Sequence, residues 1–69
     1  MLSKKQQDII DSYYKISLYV LLSESEDVLN EILNYHEMNE HYEHCIGIKK
    51  AINYNKLNPL NLVLEEINK

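Results

Sequence analysis

The sequence predicts an all-α protein, folded as a small bundle of three to four short helices. Apolar residues recur at steps of three and four along most of the chain, which is the spacing of one face of an α-helix. Glycine and proline occur once each, at Gly47 and Pro59, and a β-rich domain needs more turn residues than that. Because 69 residues are enough for one domain and not two, we expect a single domain over residues 1–69.

The first helix is predicted to begin after Ser3, whose hydroxyl suits an N-cap, and to end near Leu22. Its apolar residues form two neighbouring stripes, Ile9, Tyr13, Ile16 and Val20 on one and Ile10, Tyr14, Leu18 and Leu21 on the other. Together these stripes make an apolar surface wider than a single neighbouring helix covers. The first helix is therefore expected to contact more than one partner element.

The second helix is predicted to begin at a capping box made by Ser23 and Glu26. The acidic residues around its first turn lie at the positive end of the helix dipole, which is their simplest explanation. Its expected apolar face consists of Val28, Ile32 and Tyr35, flanked by Leu29 and Leu33. The helix should end near Met38.

The third helix is predicted to begin after Asn39, a plausible N-cap. Its apolar face consists of Tyr42, Cys45, Ile48 and Ile52, with Ile46 at the edge. Gly47 lies inside this helix and costs about 1 kcal/mol relative to alanine, so we expect it to allow a close approach of another helix. Residues 53–57 are polar and turn-like.

The fourth helix is predicted to begin at Asn58 and Pro59, an asparagine cap followed by proline at the first helical position. Its apolar residues Leu60, Val63, Leu64 and Ile67 have amphipathic spacing. A helix this short is unstable in isolation, so it must dock on its own chain or on a neighbour's.

Charge and composition exclude several classes of partner. The formal net charge is −4, and the only basic pairs are Lys4-Lys5 and Lys49-Lys50, so nucleic-acid binding is not expected. The apolar run over residues 16–22 is too short to span a membrane. A single cysteine without an export signal indicates the reducing cytoplasm. We therefore expect a cytoplasmic protein with no membrane contact and no cofactor.

One group of residues is capable of binding metal: His36, His41, His44 and Cys45, with the acids Glu37 and Glu40 between them. The two first histidines are five apart across an expected turn, whereas the zinc-protease motif needs histidines four apart on one helix. Structural zinc sites usually contain at least two cysteines. We therefore expect ordinary surface histidines that do not bind metal tightly, and a buried, unreactive Cys45 that continues the third helix's apolar face.

The middle of the chain resembles the UVR motif, a helical hairpin of nucleotide-excision repair subunits and some protease adaptors. The resemblance covers about residues 29–53 and rests on Tyr42-Glu43, Cys45-Ile46, Ile48-Lys49-Lys50 and Ile52. Lys49-Lys50 replace the family's Arg-Asp, which removes the charge pairing of that position. The resemblance implies a hairpin that associates with another hairpin and has no enzymatic activity.

A shorter stretch, Ile10-Asp11-Ser12-Tyr13-Tyr14-Lys15, is similar to the sporulation-checkpoint inhibitors of the Sda type. Those proteins are helical hairpins that bind a histidine kinase. This resemblance implies a regulatory binder and adds no site residue of its own.

The sequence favours a non-enzymatic protein–protein interaction module: a regulatory binder, inhibitor or adaptor of a larger cytoplasmic protein. The alternative is a structural or metal-responsive homo-oligomer that uses the His36, His41, His44 and Cys45 group. We expect a homodimer through the second stripe of the first helix, unless the fourth helix folds back and covers that stripe. The expected partner-binding residues are Tyr14, Leu18, Tyr19, Leu21 and Leu22.

Overall fold

A computed structural model describes residues 2–69 of the chain. It contains four α-helices in the order α1 (Lys4–Ser23), α2 (Glu26–Met38), α3 (Tyr42–Leu57) and α4 (Leu60–Ile67). No strand occurs among the described residues. The predicted all-α bundle is therefore confirmed, with all four helices present.

The cap of α1 is the one the sequence predicts, and the cap of α2 is not. Ser3 accepts a hydrogen bond from the backbone N–H of Gln6, whose side chain accepts one in return. In contrast, Ser23 is the last residue of α1, where its hydroxyl donates to the carbonyl of Tyr19 at 2.8 Å. Ser25 caps α2 instead, because its hydroxyl oxygen faces the N–H of Val28. The predicted capping box of the second helix was wrong by two residues.

The bounds of α3 and α4 also differ from the sequence expectation. Asn39 is the C-cap of α2 rather than the N-cap of α3, and its side chain donates to the carbonyl of Tyr35. α3 continues through the segment expected to be a turn, because Tyr54 packs against the core and its hydroxyl donates to the carbonyl of Leu62. Pro59 is the N-cap of α4 rather than its first residue.

α1 and α3 form the closest helix pair, and they run in the same direction. Gln6 hydrogen-bonds Glu43 near their first turns, and Leu18 packs with Ala51 further along both helices. Between these contacts Gly47 meets α1 so closely that a Cβ there would lie 2.5 Å from the carbonyl oxygen of Ile10. The predicted close approach at this glycine is confirmed.

The core lies where α1, α3 and α4 meet. It is built on Tyr14, Leu18, Ala51 and Val63, with Leu21, Leu22, Tyr54 and Ile67 packed around them. Leu18 and Val63 are fully buried. α4 therefore covers the second stripe of α1 within the same chain, which is the alternative that the sequence left open.

α2 buries a different face from the one predicted. Leu29 and His36 are its buried residues, whereas Val28 and Tyr35 are exposed. The predicted face followed the largest apolar side chains, but α2 packs with the side that carries a histidine. Among the described residues, no helix is long and apolar enough to cross a membrane.

Candidate functional site

Three histidines meet at the end of the bundle where α2 turns into α3. One ligand nitrogen each of His36, His41 and His44 lies within 4.8 Å of the other two. His36 is buried, and the other two are half-buried. The expectation of ordinary surface histidines was wrong for His36, which is buried, and the rings of His36 and His44 both pack against Tyr13 of α1. These three residues are referred to below as the histidine cluster.

A Schellman turn at the end of α2 brings the first two histidines together. The N–H of His41 bonds the carbonyl of His36 at 2.9 Å, and the N–H of Glu40 bonds the carbonyl of Glu37 at 3.2 Å. This turn characteristically places the residue three positions before the cap against the second residue beyond it. Here those two residues are His36 and His41, and their Nδ1 atoms are 2.9 Å apart.

The turn requires a left-handed residue, and the chain supplies Glu40 there, with φ of 57°. Glycine is the usual residue at this position, because a side chain in the left-handed region costs roughly 1–2 kcal/mol. The turn thus holds the two imidazoles together at some cost in local backbone energy.

α1 and the first turn of α3 complete the cluster. His44 lies one turn after His41, and its ring stacks on that of His36 with centroids 4.8 Å apart. Tyr13 of α1 packs beneath both rings, 4.2 Å from His44 and 5.4 Å from His36 between centroids. The rings are therefore held from three helices rather than by one flexible loop.

The environment of His36 disfavours positive charge. Burial lowers the pKa of His36 below its usual value, and the neighbouring His44 and His41 lower it further. The Nδ1 atom of His44 is buried and has no hydrogen-bond partner among the described residues. The cluster therefore favours a neutral imidazole at His36 and contains a buried ring nitrogen without a partner in that part of the chain.

Cys45 does not join the histidine cluster. It is buried on α3, as predicted, and is not among the residues whose ligand atoms converge. Burial raises the pKa of its thiol, and the nearby Glu37 carboxylate raises it further. The alternative function proposed from sequence therefore retains three of its four residues as a spatial group.

Four leucines lie at the opposite end of the bundle. α1 and α3 both finish there, and the turns that follow them start α2 and α4. The side chains concerned are Leu21 and Leu22 of α1, Leu57 of α3 and Leu60 of α4. Leu57 is 74% exposed and Leu60 is 61% exposed, while the two α1 leucines are half-buried against the core. These four residues are called the leucine end.

The five predicted partner-binding residues fall into three groups. Tyr14 and Leu18 are buried under α4, so the expectation that they form an exposed surface was wrong. Leu21 and Leu22 are half-buried and belong to the leucine end. Tyr19 is 59% exposed on the outer face of α1, beside the exposed Ile16 one turn earlier.

Leu57 and Leu60 were missed as surface residues by sequence reasoning. Leu57 lay in the segment taken for a turn, and Leu60 was assigned to the packed face of the fourth helix. No signal in the sequence distinguishes these leucines from buried ones, since apolar residues on either side of a helix–helix turn can also pack into one core.

No family model, curated protein or solved structure matches this chain. The UVR-like and Sda-like resemblances therefore stay predictions.

Proposed function

We propose that the protein is a non-enzymatic interaction module that binds a larger protein, as an inhibitor or adaptor does, through its leucine end. The observation that carries the proposal is that Leu57 and Leu60, on either side of the α3–α4 turn, are mostly exposed, while Leu21 and Leu22 at the end of α1 are half-buried. Contiguous apolar surface rimmed by charge is typical of protein–protein contacts.

Covering Leu57 and Leu60 with a partner would stabilise the complex. Fully burying a leucine contributes roughly 1.5–3 kcal/mol, and the bundle itself leaves Leu57 and Leu60 mostly exposed. The isolated bundle gains little of this burial free energy, because both side chains stay mostly exposed. That matters for a domain of this size, which has only a few kcal/mol of stability in total. A partner that covers them gains the burial energy instead.

The charged rim narrows the chemistry of the partner. Glu24, Glu26 and Asp27 are exposed at the α1–α2 turn beside the leucine end. One lysine faces them, since the Nζ of Lys56 lies 3.8 Å from Glu26. An apolar surface rimmed by lysine or arginine therefore fits this end best, because complementary charges favour encounter and register.

A homodimer through the same end is the second possibility. The stripe of α1 that favoured a dimer is no longer exposed, because Tyr14 and Leu18 are covered by α4 in the single chain. Two leucine ends facing each other would also bring two acidic rims together, which opposes self-association. Sedimentation equilibrium across micromolar concentrations distinguishes a monomer from a dimer directly.

The proposal is tested by capture from a cell lysate with three baits: the unchanged chain, Leu57→Glu combined with Leu60→Glu, and Tyr42→Glu. Tyr42 is also highly exposed but lies at the histidine end, so it is the matched control. The unchanged chain and the control should retain the same protein, and the double variant should lose it. With the purified partner, we expect affinity to fall at least about 100-fold.

Circular dichroism establishes that each bait is folded before the comparison. Equal retention by all three baits would contradict the proposed surface. A dimer mass that is abolished by the double variant would assign the leucine end to a second copy of this chain.

A further inference from the structure

We propose that His36, His41 and His44 form a binding site for a borderline divalent transition-metal ion such as Zn²⁺. Three imidazole nitrogens would bind the ion, with a fourth position left for solvent or an external ligand. This inference goes beyond the proposed function, since it concerns the opposite end of the bundle and requires no protein partner.

The distances are close to those that a metal requires. Zinc binds imidazole nitrogen at about 2.0–2.1 Å, so two ligand nitrogens of a tetrahedral site lie about 3.3 Å apart. The three candidate nitrogens already lie within 4.8 Å of one another. Small rotations of side chains would bring them to that spacing without moving a helix.

The cluster contains one buried ring nitrogen that a metal could satisfy. His36 and His41 face each other through two Nδ1 atoms 2.9 Å apart, and a single proton between them makes this a complete hydrogen bond. The Nδ1 of His44 is buried and has no partner in the described part of the chain. Buried polar atoms are rarely left unpaired without a ligand, water or functional reason.

The surrounding side chains preorganise the ligands. Tyr13 of α1 packs against His36 and His44, and the Schellman turn fixes His41 opposite His36. A site whose rings are held in position before the ion arrives loses less freedom on binding. Residues of three helices therefore contribute to holding the rings in place.

The donor set selects the class of metal. Imidazole suits zinc, copper, nickel and iron, whereas calcium and magnesium take oxygen ligands. Three protein ligands with an open fourth position are the pattern of zinc sites that bind an exchangeable ligand. Cys45 is not needed, because it does not converge with the three nitrogens.

The proposal reverses the expectation drawn from spacing alone. Histidines five apart do not share a face of a continuous helix, which is why the sequence indicated no site. The Schellman turn changes that relation, because it places those two positions side by side.

The test uses the full chain without a histidine tag, titrated with zinc chloride in a calorimeter. We expect one ion per chain with a Kd below about 1 µM, and a rise in the thermal unfolding midpoint that magnesium chloride does not produce. His41→Gln and His44→Gln should each weaken zinc binding at least about 10-fold, while Cys45→Ala should leave it within about twofold. Circular dichroism verifies that each variant is helical.

Cobalt chloride added to the unchanged chain gives a readout that does not depend on variants folding. Intense visible absorption bands without a thiolate charge-transfer band would support four-coordinate nitrogen ligation. Zinc binding that is weaker than about 10 µM, or equal in the histidine variants, would overturn the site. A thiolate band, or loss of binding in Cys45→Ala, would overturn the three-histidine assignment.

Discussion

The two ends of this bundle are built on the same helices and differ in the side chains that they bury. Beneath the leucine end, α1, α3 and α4 enclose Leu18 and Val63 without any exposed atom. At the histidine end, His36 is buried, Glu40 lies in the left-handed region, and the Nδ1 of His44 has no hydrogen-bond partner among the described residues. Apolar burial stabilises the first end, whereas a buried nitrogen without a partner and a left-handed glutamate each reduce stability at the second.

The histidine end therefore carries features that reduce stability. A chain selected only for stability would fill the space beside Tyr13 with aliphatic residues and place glycine at position 40. Polar features that reduce stability are common at functional sites. The leucine end shows the converse arrangement, a well-packed core beneath the exposed Leu57 and Leu60.

The first prediction, with the largest change in stability, concerns the apolar core beneath the leucine end. Leu18→Ala removes a fully buried side chain from the contact of α1 with α3 and α4, and we expect a loss of about 2–5 kcal/mol of unfolding free energy. Ile16→Ala on the exposed face is the control and should change stability by less than about 0.5 kcal/mol. Urea denaturation followed by circular dichroism measures both. Equal losses would mean that α4 does not pack as described.

The second prediction concerns the close contact of Gly47 with α1, which lies between the two ends of the bundle. Gly47→Ala adds a Cβ 2.5 Å from the carbonyl oxygen of Ile10 and 3.0 Å from the Cβ of Tyr13, so α1 and α3 must separate. We expect a net loss of about 1–3 kcal/mol, despite the helix propensity that alanine gains. Asn53→Ala, exposed on the same helix, should be neutral or slightly stabilising. A stabilised Gly47→Ala chain would refute the close contact.

A smaller effect depends on pH and belongs to the apolar core. Burial raises the pKa of Tyr14 to about 12, and the Glu66 carboxylate beside it adds to the rise. The unfolded tyrosine ionises near pH 10, so its contribution is complete below pH 10 and is lost as pH rises toward 12. The loss should be roughly 1–1.5 kcal/mol by pH 11.

Tyr14→Phe is the matched variant for that measurement, because it keeps the ring and removes the ionising group. Denaturant unfolding at pH 9, 10 and 11 should show a steeper decline for the unchanged chain than for the variant. Parallel declines would mean that the Tyr14 hydroxyl is hydrated like an exposed tyrosine.

The fourth prediction, with the smallest expected change in stability, concerns the histidine cluster. His44→Phe keeps an aromatic ring against Tyr13 and removes the unpaired nitrogen, so without metal the chain should gain up to about 1 kcal/mol. His41→Phe should gain less, because it removes the Nδ1 that faces His36. Thermal unfolding in the presence of a chelator compares them. A clear loss for His44→Phe would show that this nitrogen is satisfied by water.

Much of the fold was predictable because it is local. The cap at Ser3, the end of α2 at Met38 and the close approach at Gly47 follow from side-chain chemistry or from a single unusual residue type. The end of α3 was not predictable, since Tyr54 extends the helix through its contacts with Tyr14 and the carbonyl of Leu62. Polar composition suggested a turn there, and tertiary packing outweighed it.

The candidate site shows the same division. The sequence identified the three histidines as a group with metal-capable chemistry, and it placed Leu21 and Leu22 on an apolar surface of the first helix. It could not join the histidines, because a separation of five residues has no fixed meaning until the turn type is known. It also could not foresee Leu57 beside Leu60, since that surface depends on where α3 ends.

By itself, the sequence determined the helical class and the apolar stripes, because helical periodicity acts within a few residues. Only the tertiary structure decided which stripe is covered, since α4 docks on Tyr14 and Leu18 from 45 or more positions away along the chain. Only the tertiary structure gathered the histidines, because a left-handed Glu40 reverses the chain between them. Local side-chain chemistry determines which segments are helical. The burial of surfaces distant in sequence decides which side chains meet and which stay exposed.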